Sequence, residues 1–103
     1  MKIKFSARSV DCWSGYGSTA ITTHAKENGK WAVISRINLR RLSPVAFELR
    51  EWVQSDLANG TENERERAKR YCGIEIDTND AIDILSEIKA ALEQERIARR
   101  KLA

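Results

Sequence analysis

A chain of 103 residues has room for one domain and enough bulk to bury a core without staples. Apolar residues make up 42% and charged residues 32%, with one Pro and five Gly, which excludes disordered and fibrous classes. Net charge is +3 but unevenly held: residues 1–50 carry nine Lys/Arg against three acids, and residues 51–103 carry nine against twelve. Such a split bears on partners rather than on fold.

Residues Lys2–Ser9 alternate, with Ile3, Phe5 and Ala7 on one side and Lys2, Lys4, Ser6 and Arg8 on the other. That is the pattern of a half-buried strand with a wet, basic face. The strand can run on to Trp13, and Ser14-Gly15-Tyr16-Gly17-Ser18 is then too rich in glycine to continue a ladder. Two β-branched runs next flank Asn28-Gly29, a dipeptide that tolerates φ > 0 at both centres of a type I′ turn. The turn predicts a hairpin of strands over 19–26 and 31–39, with Glu27 opposite Lys30, Lys26 opposite Trp31, Ala25 opposite Ala32 and His24 opposite Val33. One hairpin face then holds Trp31, Val33, Ile37 and Leu39 with Ala20 and His24; the other holds Ala32 and Ile34 with Ile21, Thr23 and Ala25. The first is bulkier and is expected to meet the helices, with Trp31 and Val33 against Leu49, Trp52, Leu85, Ile88 and Leu92.

Ser43 and Pro44 suit the N-cap and first position of a helix whose buried stripe is Val45, Leu49, Trp52, Val53 and Leu57. Asn59-Gly60 closes it, and the capping box Thr61-Glu62-Asn63-Glu64 opens a short, highly charged helix. After Asp77-Thr78-Asn79-Asp80 comes the longest helix, acidic at its start and ending in Arg96, Arg99, Arg100 and Lys101, an order that complements the helix dipole. Ile82 and Ile97 fall off its core face. The sheet is expected at about 1–40 and the helices at about 44–58, 62–72 and 78–100. The fold is therefore expected to be α+β: a three-stranded antiparallel β-meander at the N-terminus followed by two or three helices packed on one face, in a single domain spanning 1–103.

Residues that carry chemistry are few. Cys12, Cys72 and the single histidine, His24, cannot supply the four ligands of a zinc site. There is no phosphate-cradling loop and no plausible catalytic cluster, so no metal, no cofactor and no enzymatic activity are expected. The cysteines read as reduced thiols, with a disulfide as the alternative. MKIKF opens a strand without the apolar stretch of a signal peptide, and no apolar run approaches the ~18–20 residues of a membrane span. A cytoplasmic protein with no membrane partner is expected. What remains is surface. The leading expectation is a small non-catalytic interaction module, an accessory, regulatory or inhibitor protein with a protein partner. It would bind through Trp13 and Tyr16 in the pliable loop and through Ile82 and Ile97 on the long helix, which also offers a homodimer contact. The alternative is a nucleic-acid-binding domain in which Lys2, Lys4, Arg8, Lys26, Lys30, Arg36, Arg40 and Arg41 hold phosphates while Trp13 and Tyr16 stack bases.

Overall fold

The alternating start of the chain forms strand β1 (Lys2–Asp11), which pairs antiparallel with β2 (Gly17–Glu27) from Ile3↔Ala25 to Asp11↔Gly17. The structure, a computed structural model, describes residues 1–11 and 17–102. Expectations for Cys12, Trp13 and Tyr16 lie outside the described residues. Asn28 (φ 50°) and Gly29 (φ 76°) make the left-handed tip that leads into β3 (Lys30–Val33), in the register a two-residue turn requires. A two-residue strand, β4 (Ile76–Asp77), adds to the other side of β1, giving the order β3-β2-β1-β4.

Four helices follow the meander: α1 (Arg36–Leu42), α2 (Pro44–Asn59), α3 (Glu62–Lys69) and, after a 3-10 turn at Thr78–Asp80, α4 (Ala81–Leu102). The chain is thus an α+β fold with its antiparallel strands at the N-terminus and its helices after them, with a short fourth strand and one more helix than the sequence suggests. The caps are the expected ones. Ser43 accepts from Ala46 N at 3.2 Å with Pro44 at the first helical position, and Thr61 accepts from Glu64 N at 3.3 Å. Gly60 closes α2 because a Cβ there would collide with the Asp56 carbonyl oxygen.

Three expectations are overturned. The strand predicted over 31–39 ends at Val33, and Ser35 caps a helix instead, its hydroxyl accepting from Asn38 N at 3.2 Å. That seven-residue helix is pinned by one buried side chain, Leu39, and its last turn carries Arg40 and Arg41 where cations suit the dipole. The second correction concerns which sheet face is covered. Ile21, Thr23 and Ala25 are buried with Ile3 and Phe5 against Ala46, Leu49, Val53 and Leu57 of α2 and Ala81, Leu85 and Ile88 of α4. Trp31 and Val33 lie on the opposite face, Val33 at 69% exposure, and take no part in that core. Trp52 and Leu92 pack at its margin. The reason is β1: Ile3 stands opposite Ala25 and Phe5 opposite Thr23, so the apolar side of the first strand decides the inner face for the strands beside it. Finally, α3 ends at Lys69 rather than near 72.

Candidate nucleic-acid interface

Because side chains alternate along a strand, the register that buries Ile3 and Phe5 turns Lys2, Lys4 and Arg8 to the outer face. On β2 the same face holds Thr22, His24 and Lys26, and on β3 it holds Trp31 and Val33. All four helices come from the other side or the sheet edge, and the helical members of the core pack on the inner face. Among the described residues the outer face is therefore a basic surface with the Trp31 indole on its β3 edge.

Its geometry is specific. The Lys4 ammonium lies 4.5 Å from the centroid of the Trp31 ring and that of Lys26 lies 5.8 Å from it, both within cation–π range. Trp31 is half-buried under these two side chains. Glu75, just before β4, reaches Lys2 at 3.6 Å and Lys26 at 4.0 Å. Lys4, Arg8 and Lys30 have no acidic partner among the described residues, which leaves positive charge in excess. His24 is half-buried on this face between Lys4 and Val33.

The eight basic residues singled out by sequence do not form one patch. Lys2, Lys4, Arg8 and Lys26 share the open face, and Lys30 stands at the hairpin tip. Arg36 and Arg40 turn to α2 instead, their guanidinium groups 5.5 and 5.6 Å from the centroid of Phe47, with Arg36 paired to Glu51 at 2.9 Å. Arg41 is exposed nearby. Ile82 and Ile97 are exposed on α4, as their spacing implies. The residue of this face that sequence reasoning misplaces is Trp31, whose bulk points to the core; the signal for its true place lies in β1, whose basic side must share a face with it.

Elsewhere several polar side chains are held by partners within the fold. A hollow of about 330 Å³ on the outer surface of α2 is lined by Phe47, Glu48, Glu51, Trp52 and Ser55. Both its carboxylates are held in ion pairs, Glu48 with Lys89 and Glu51 with Arg36 and Arg50. Between α2, α3 and α4, Arg67 pairs with Glu95 beside the buried Asp56. Cys72 is a half-buried free thiol whose pKa is raised by burial. Among the described residues no cluster of His, Cys, Asp and Glu could hold a metal ion, and no helix is long and apolar enough to cross a membrane. Set against known proteins, the chain matches no family model, no curated protein and no solved structure.

Proposed function

We propose that the protein is a non-catalytic binding module that takes a strand of nucleic acid on the open face of its sheet. The observation that supports this reading is the meeting of Lys2, Lys4, Arg8 and Lys26 with Trp31 on one face that no helix of the described residues covers. Phosphates supply the anions such a face favours, and a base supplies the flat partner an indole favours. The free protein keeps both in reserve. Lys4 is parked over the Trp31 ring, and Glu75 occupies Lys2 and Lys26 as a phosphate would. An incoming strand exchanges these contacts: a base takes the ring, and the released ammonium groups take phosphates. A cytoplasmic setting goes with this reading.

Filter binding of a single-stranded oligonucleotide across a salt titration tests it. Affinity is expected to fall steeply as salt rises, and Lys4→Glu with Arg8→Glu to abolish retention. Glu75→Gln, which releases Lys2 and Lys26, is expected to tighten binding. No retention of the parent at low salt contradicts the reading.

A second reading, an accessory or regulatory protein held by a protein partner, is favoured by Val33, Ile37 and Leu42, which are 69%, 65% and 59% exposed beside Arg40 and Arg41. Affinity capture with the parent and Ile37→Glu tests it; a captured protein lost in the variant supports it, and identical profiles contradict it.

A further inference from the structure

Helix α4 has two features that the core does not use. Ile82 and Ile97 are 58% and 42% exposed, and every side chain from Arg96 to Lys101 is exposed as the helix runs past the core. Its net charge changes sign along its length: Asp83 and Glu87, preceded by Asp80, outnumber Lys89 in the first half, and Arg96, Arg99, Arg100 and Lys101 outnumber Glu93 and Glu95 in the second. The ion pairs of this helix are Lys89 with Glu48, Glu95 with Arg67, and Arg96 with Glu93. Among the described residues Asp80, Asp83, Glu87, Arg99, Arg100 and Lys101 are left without an ionic partner in their own chain. The two isoleucines are about 22 Å apart along the axis and within about 60° of each other around it, so one neighbouring helix reaches both.

We propose that α4 is the contact of a homodimer in which two copies of the helix lie antiparallel about a two-fold axis near the Lys89–Ala90 peptide. That axis sets Ile82 level with Ile97 of the second copy and Asp83 level with Arg96. Symmetry makes each of these contacts twice. The acidic half of each helix runs along the basic half of the other, and the small, exposed Ala90 lies where the backbones come closest. A parallel arrangement sets like charge beside like over both halves, so the helix specifies its own direction as well as its partner. With two isoleucines per chain the apolar contact is small, which makes the dimer weak and sensitive to salt. Ala81, Leu85 and Ile88 hold α4 in the helix layer, so the pairing leaves the outer sheet face free and does not depend on what that face binds.

Sedimentation equilibrium tests the proposal. The parent is expected to pass from the 11.7 kDa monomer towards twice that mass as its concentration rises, and to return to monomer in high salt. Ile82→Ser with Ile97→Ser is expected to remain monomeric. The decisive arm uses two charge variants, Asp83→Lys with Glu87→Lys, and Arg96→Glu with Arg100→Glu, each checked by circular dichroism for the parent's helix content. Each alone sets like charge against like and is expected to be monomeric; mixed in equal amounts they are expected to form a heterodimer. A parent that is monomeric at roughly 1 mM overturns the proposal. A parent that dimerises while the mixture stays monomeric overturns it too, because the contact then lies elsewhere.

Discussion

Asp56 is 6% exposed on α2, with Glu64 and Arg67 of α3 and Glu95 of α4 around it. Burial lifts its carboxyl above the ordinary carboxylate value; Glu64 and Glu95 push the same way, and Arg67 pulls it back. A pKa higher in the folded than in the unfolded chain means that the folded protein holds the proton longer. Stability therefore falls as pH rises from the ordinary carboxylate pKa through the raised one. Asp56→Asn keeps the shape and removes the charge, so it is expected to be more stable than the parent at neutral pH. Its stability should also decline less as pH rises above the ordinary carboxylate pKa. Urea denaturation across that range measures both, and identical pH profiles for parent and variant contradict the assignment. Gly29 presents a plainer case. Its φ is +76°, and a Cβ added there would have no atom within 4 Å, so a substitution meets strain and no clash. Gly29→Val is expected to lose about 1–2 kcal/mol from the backbone alone, and a melting temperature equal to the parent's removes the left-handed turn from the account.

Among the elements, β2 shows how the fold finishes a sheet that its own strands leave incomplete. Just past β3, Ile34 N donates to Thr23 O at 2.9 Å, and beyond it Gln54 of α2 stands in for the missing strand. Gln54 Oε1 accepts from Ile21 N at 2.7 Å and its Nε2 donates to Thr19 O at 2.6 Å, while Arg50 Nε donates to Thr23 Oγ1 at 3.2 Å. Gln54→Leu strips both backbone groups of a partner and is expected to cost about 1–3 kcal/mol in chemical denaturation. Gln54→Glu, which keeps the acceptor for Ile21 N, should cost less; a Leu variant as stable as the parent contradicts the clamp. None of this was legible in sequence, because Gln54 meets β2 across more than thirty residues. The Asn28-Gly29 turn, the Ser43-Pro44 start and the Thr61 cap were legible, since neighbouring residues decide each of them. Helix α1 was not: Val33, Ile37 and Leu39 fit a strand on paper, and only the burial of Leu39 beneath the helix layer lets the Ser35 cap prevail. The covered face was missed for a related reason. It depends on the β1–β2 register, and a slip of one residue reverses every side chain. Lys2, Lys4, Arg8 and Lys26 were therefore readable as a basic set and Trp31 as the partner of Lys26, whereas the openness of the face they share was not.

At the scale of the whole molecule, the radius of gyration of 14.9 Å exceeds the roughly 13 Å usual for this length. Two parts extend beyond the core: the far end of the β1–β2 ribbon, where Ala7, Arg8 and Ser9 are exposed, and the last turns of α4. The charge follows the same division. Basic residues gather on the outer sheet face, and the helix layer carries the sorted charge of α4. The two proposals, an anionic strand on the sheet and a second copy on α4, use separate surfaces, so salt should weaken both while Lys4→Glu weakens only the first. The claim on which the account turns is that the outer sheet face is where the ligand sits. Its most direct test is to titrate the isotope-labelled protein with a single-stranded oligonucleotide and follow the backbone amides and indole groups by NMR. The account predicts that the shifts gather on Lys4, His24, Lys26 and Trp31, with the Trp31 indole among the largest. Shifts confined to α1 or α4, or no shift at low salt, would contradict it.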